Sequence, residues 1–209
     1  MFFFETSIDK RYSFWYSLIS YFEGDKLNTE LLIQKFFILG KFLTYPTKEL
    51  KDDIKKIIAQ IKNKDETKKL KNILSLLNNE TYREELEAEY TSLFITGYPK
   101  TPCPPYFSAY QTGMIVSDYS DKLYDLYEEY GIELSNEQFP DFIPTMMEFM
   151  TLLLTNDLLE EAKNFYKEYL SWLDEFSKNI KRNTKNEYFI MIANELDNFT
   201  KDINHFFNL

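Results

Sequence analysis

Five glycines in 209 residues, with turn-rich clusters set far apart, constrain this chain more than any other feature of its sequence. Strands joined by many tight turns need glycine wherever φ becomes positive, so the scarcity favours helices. The apolar spacing agrees. Tyr12, Trp15, Leu18, Ile19 and Phe22 recur at three- and four-residue steps between Asp9 and Phe22, and Gly24 follows as a stop. A second helix is predicted over about 29–44, ending near Tyr45-Pro46 because the residue before proline is pushed out of the helical region. Thr47 then caps a third helix whose inward stripe is Leu50, Ile54, Ile57, Ile58 and Ile61, with lysines on the opposite face. The polar stretch Lys62–Lys69 is expected to hold a bend, after which Leu70, Ile73, Leu74 and Leu77 mark a short fourth helix.

Thr81–Glu84 reads as a capping box that opens a fifth helix, with Leu86, Tyr90, Leu93 and Phe94 inward. Gly97 and the prolines at 99, 102, 104 and 105 interrupt helix and predict a rigid, exposed loop. A sixth helix is expected from about Ser108 to Tyr130, closed by Gly131. Pro140 and Pro144 fall at the opening of a seventh, apolar almost all round at Met146, Met147, Phe149, Met150, Leu153 and Leu154, and so central. An eighth covers about Asp157–Lys178 with Phe165, Tyr169, Trp172, Leu173 and Phe176 inward, and a second capping box, Thr184–Glu187, opens a ninth. With 44% hydrophobic and 18% aromatic residues the chain can offset its conformational entropy. No composition break or internal repeat divides it. The expectation is one all-α domain over residues 1–209, a bundle of about nine helices.

Composition also narrows function. A single cysteine cannot form an internal disulfide, which fits a reducing cytoplasm. Met1–Phe4 is apolar but meets Glu5 within a turn, without the basic start and long apolar run of a signal peptide. The apolar stretches Phe36–Leu43 and Phe149–Leu154 are far shorter than the ~20 residues a spanning helix needs, so no stable membrane insertion is expected. The net charge of −10 argues against nucleic acid and makes a basic partner natural.

Catalytic constellations are missing from the sequence. His205 and Cys103 are the only histidine and cysteine, too few for zinc or di-iron ligation, so neither a metal nor a cofactor is expected. His205 reads as a partner of a helix C-terminus and Cys103 as a loop thiol with no neighbour to activate it. Asp52-Asp53 reads as helix-opening acids rather than a cation pair. Neither a glycine-rich phosphate loop nor a Gly-x-Ser-x-Gly elbow is present. Two segments resist a purely structural reading. Residues 104–110, Pro-Pro-Tyr-Phe-Ser-Ala-Tyr, crowd aromatic and hydroxyl groups on a proline-stiffened loop, which should present them outward. Residues 138–144, Gln-Phe-Pro-Asp-Phe-Ile-Pro, set Asp141 at a helix start, where it also reads as an N-cap.

Together these segments resemble the redox-enzyme maturation chaperones, the family of the nitrate reductase delta subunit and the trimethylamine oxide and dimethyl sulfoxide reductase chaperones. The resemblance rests on Tyr90–Phe94 preceding Pro105-Tyr106-Phe107-Ser108-Ala109-Tyr110, then Tyr130-Gly131, Pro140-Asp141-Phe142 and Glu148-Phe149-Met150. Leu43–Pro46 and Tyr169–Leu173 extend it, and residues 1–30 have no clear counterpart. Where the family has histidine after Pro-Asp, this chain has Phe142, which removes any imidazole from that position.

The resemblance implies a non-enzymatic cytoplasmic chaperone. It would bind the twin-arginine signal peptide and apo catalytic subunit of a molybdopterin-dependent oxidoreductase, delaying export until the cofactor is inserted. An accessory subunit that stays in the finished reductase is the alternative. The expected groove comprises Tyr106, Ser108, Tyr110, Pro140, Asp141 and Phe142, with Glu148 adding negative field. Residues 131–139 are the expected hinge for segment exchange, leaving monomer and exchanged dimer both open.

Overall fold

The computed structural model describes residues 27–78, 80–97, 100–115, 117–135 and 138–209, so the expected helix between Asp9 and Phe22 lies outside the described residues. Among them the chain is all-α. The helices are α1 (Leu27–Phe42), α2 (Lys48–Ile58), α3 (Lys64–Leu76), α4 (Glu80–Tyr90), α5 (Phe107–Thr112), α6 (Asp118–Glu129), α7 (Ile143–Thr155), α8 (Leu159–Phe165), α9 (Leu173–Asn183) and α10 (Glu187–Phe207). Single π turns extend α4 over Thr91–Ile95 and α8 over Tyr166–Leu170.

The core is organised around α7 and α1, which pack along one another. Ile143, Met146, Met147, Met150 and Leu154 are all fully buried, as are Phe36, Ile38 and Phe42 on α1. The two helices approach closely at Gly40, where a Cβ would stand in ordinary contact with that of Met147 at 3.4 Å. Pro144 stands in the first turn of α7, where its missing N–H is not needed. The long α10 pairs with α9 and reaches α1 and α3, so the first and last described helices share one core. Aromatic edges tie these layers together: Phe94 meets Phe189 with ring centroids 5.5 Å apart, and Phe36 meets Phe199 at 4.6 Å.

Local chemistry moves several expected boundaries. Thr47 caps α2 through the amide of Leu50, as its sequence position predicts. The bend falls at 59–63 rather than within Lys62–Lys69, because Asn63 accepts the amides of Asp65 and Glu66 and starts α3 earlier. Helix α4 begins at Glu80, so Thr81 lies inside it rather than before it. The single helix expected over 108–130 is two: Gly113 takes a left-handed φ of 75°, and Ser117 caps α6 by accepting from Tyr119. The helix expected over 157–178 is broken by its π turn and a tight turn before Leu173. Asn186, not Thr184, caps α10, while Thr184 accepts the amide of Asn186 and donates to Glu89. Gly131 adopts the left-handed conformation expected of it.

Residues 101–105 of the proline-rich loop are half-buried or buried, which corrects the expectation of an exposed one there. Cys103 and Pro105 are buried. The helix ends at Ile95, which leaves the carbonyl of Leu93 free to accept the amide of Cys103 at 2.9 Å. Gly97 is required at the same corner, since a Cβ there would lie 2.5 Å from Cδ of Pro102 and 2.7 Å from the Lys100 carbonyl. Burial pushes the Cys103 thiol up to about 12.

Candidate functional site

Two extended residues, each immediately preceding a helix, are brought side by side. Tyr106 precedes α5 and Phe142 precedes α7, and they form an antiparallel β-bridge. Its hydrogen bonds run from Phe107 N–H to the Asp141 carbonyl and from Ile143 N–H to the Pro105 carbonyl, both 3.0 Å. Neither Tyr106 nor Phe142 offers a capping oxygen to its helix. Asp141 supplies one from across the chain: its Oδ2 accepts the Ser108 amide at 3.0 Å and the Ser108 hydroxyl at 2.5 Å. It therefore caps α5, not the helix that follows it in sequence. Ser120 Oγ lies 3.2 Å from Ser108 Oγ and extends the network to α6.

Asp141 and Ser108 are completely buried, and Asp141 Oδ1 has no hydrogen-bond partner. The carboxyl group sits against the starts of α5 and α7, whose free amides favour negative charge. Tyr127 closes the floor by donating its hydroxyl to the Pro140 carbonyl at 2.8 Å. Burial, then Asp141, holds the Tyr127 phenol well above its usual range, so it remains a donor. The Tyr106 phenol is raised for the same two reasons in the same order.

Above this buried floor lies an aromatic platform. The Tyr106 ring is 5.4 Å from Phe142 and 5.4 Å edge-on to Phe139, which is 45% exposed. Phe142, where the family has histidine, thus contributes apolar surface. Tyr106, Ser108, Pro140, Asp141 and Phe142 are brought together. Tyr110 is not in this cluster: its ring packs 4.2 Å from Trp172, and its hydroxyl accepts from Asn179 on α9 at 3.3 Å. Glu148 is held by Lys41 at 2.7 Å, so its charge is largely spent within the chain. Phe139, Ser120 and Tyr127 were not singled out from the sequence. Only the position of Phe139 beside Pro140 could have drawn attention to it.

Hydrogen bonding occupies the Ser108 hydroxyl, and the chain's single histidine is exposed near the end of α10. Among the described residues no group of three or more His, Cys, Asp or Glu side chains could hold a metal ion. No described helix is long and apolar enough to cross a membrane. The arrangement is built to present an apolar surface over a buried acceptor.

The helical domain is similar to proteins of the redox-enzyme maturation type. A solved structure of a proposed redox enzyme maturation protein from Archaeoglobus fulgidus matches it at 27% identity and a TM-score of 0.62, covering 87% of this chain and 98% of that one. The family described as nitrate reductase delta subunit matches residues 50–180, and the chain belongs to that family of redox-enzyme maturation chaperones. No curated protein matches.

Proposed function

We propose that this chain binds the twin-arginine signal peptide of a molybdopterin-dependent oxidoreductase in the cytoplasm, holding back export while the cofactor is inserted. The observation that carries this reading is the Tyr106–Phe139–Phe142 platform above the unpartnered oxygen of Asp141. A signal peptide joins an apolar run to a basic start. Its apolar run lies on the platform, and an arginine supplies the donor that Oδ1 lacks. Because Asp141 and Ser108 are covered in the free chain, Tyr106 and Phe142 meet the peptide first and must shift to admit the guanidinium. Pro140 fixes the rim, Tyr110 stands apart against Trp172, and Glu148 adds only the field that its ion pair with Lys41 leaves unscreened. The net charge of −10 favours the encounter.

Calorimetry with peptides tests the reading. A twin-arginine peptide should bind, and its twin-lysine counterpart should bind at least about tenfold more weakly, since an ammonium is more strongly hydrated than a guanidinium and costs more to bring onto a buried carboxylate oxygen. Equal affinity for the two would remove the recognition mechanism. The family's description as a subunit supports a second reading, in which the chain stays in the finished reductase. Equimolar copurification with cofactor-loaded enzyme distinguishes it from a chaperone that leaves.

A further inference from the structure

Helices α2 and α3 each bury one stripe and turn a lysine stripe outward. On α2 the buried residues are Leu50, Ile54, Ile57 and Ile58; Lys48 and Lys55 face away from them, and Lys51 stands at the edge of the buried stripe. On α3 Leu70, Ile73 and Leu74 are buried, opposite Lys64, Lys68 and Lys71 at steps of four and three. The two helices pack against each other, so the stripes lie side by side along helices about 16 Å and about 20 Å long. Five of these six lysines are exposed and Lys51 is half-buried.

None of the six forms an ion pair among the described residues, although three other lysines of the same region do. Lys56 pairs with Asp53, Lys62 with Glu30 and Lys69 with Glu66. On the outward arc the exposed acids are Glu49, Asp52 and Asp65, and the lysines outnumber them. Part of the pattern works against the helices that carry it, although Glu49, Asp65 and Glu66 offset it in the first turns and Lys55 suits the last turn of α2. Like charges three or four residues apart repel. Lys48 and Lys64 also open their helices, where a cation opposes the dipole. Such local conflicts in a chain of net charge −10 are characteristic of a surface that meets an external anion.

We propose that the outer face of α2 and α3 is a docking surface for an anionic lipid bilayer, used peripherally and without insertion. Lysine favours this occupant over a protein, because protein interfaces are depleted in lysine and anchored by aromatic residues and arginine, and these stripes contain neither. Fluid headgroups rearrange to meet flexible ammonium groups, and two adjacent helices offer a broad face to a plane rather than an edge to a groove. The inference stands on α2 and α3 alone and is independent of the peptide reading.

Cosedimentation of the full chain with vesicles is the test. Binding is expected to mixed phosphatidylcholine–phosphatidylglycerol vesicles at low salt, but not to phosphatidylcholine alone, and it should vanish at about 0.5 M salt. Lys64→Gln/Lys68→Gln/Lys71→Gln should weaken partitioning by about a hundredfold, from roughly fivefold per surface lysine. The control Lys122→Gln/Lys167→Gln/Lys185→Gln changes net charge equally at exposed positions elsewhere and should leave partitioning nearly intact. All six positions are exposed, and matching melting curves establish that each variant is folded. No binding to anionic vesicles, equal losses in both triple variants, or binding to nucleic acid in place of vesicles would overturn the proposal.

Discussion

Replacing Asp141 with alanine should show how strongly one side chain holds the two halves of the platform. Its Oδ2 takes the Ser108 amide and the Ser108 hydroxyl. The hydroxyl retains Ser120 as a partner, but no other acceptor is recorded for the buried amide, and an unsatisfied buried amide costs about 1–3 kcal/mol. With the lost hydroxyl bond added, the expected destabilisation is roughly 2–4 kcal/mol. In a chain of this length each kcal/mol moves the melting temperature by roughly 2–4 °C, so the midpoint should fall by roughly 4–16 °C. Asp141→Asn keeps an acceptor facing Ser108 and replaces the unpartnered Oδ1 with an unpartnered amide, for a loss of about 1 kcal/mol. A double-mutant cycle of Asp141→Ala with Ser108→Ala should give a coupling near 1 kcal/mol, because the hydroxyl bond counts only while both residues are present. Scanning calorimetry gives the midpoints and urea titration the coupling. An alanine variant melting within about 1 °C of the parent would refute the shared-cap account.

Three further outcomes follow from burial. Trp172→Ala should cost about 3–5 kcal/mol in urea unfolding, because the ring is buried against Tyr110 and Phe176 and its Nε1 donates to the Tyr169 carbonyl. Burial raises the Glu195 carboxyl above its usual range, with Lys69 lowering it and Glu66 raising it further. The folded chain therefore holds that proton more tightly than the unfolded chain does. The parent loses stability as pH rises through the raised value, and Glu195→Gln should be the more stable chain at neutral pH, with the gap closing toward about pH 4. A pH series of urea midpoints reads this directly. Cys103, buried and raised to about 12, should react with a thiol reagent at least about tenfold more slowly in the native chain than in urea. Equal rates would mean that the proline loop opens freely.

Much of the bundle is legible as periodicity. The Leu50–Ile58 and Leu70–Leu74 stripes, the Thr47 cap and the all-round apolar character of α7 each follow from spacing within one helix. Breaks inside long periodic runs are harder to read, because the inward residues on both sides of Gly113 keep a helical rhythm while the backbone leaves it. The platform was half legible: its two loops were identifiable by composition, but the acceptor for the Ser108 amide lies 33 residues away and no local pattern encodes it. Proline content suggested an exposed loop at 102–105. A helix end offering the Leu93 carbonyl to Cys103 instead draws that loop into the core, and such a pairing depends on the three-dimensional path of the chain.

The Asp141 cap also sets the order in which this region can assemble during synthesis. Helix α5 has six residues, well short of the ~12–15 at which an isolated helix begins to persist in water. As the nascent chain emerges, residues 107–112 lack their cap until Asp141 has been made, and the Tyr106 half of the platform has nothing to pair with until Phe142 and Ile143 follow. A ribosome stalled anywhere in that interval would carry a chain in which α1–α4 have been made but Tyr106 has nothing to pair with. The site is a late product of translation, and its closure reports that both sides of the fold have arrived.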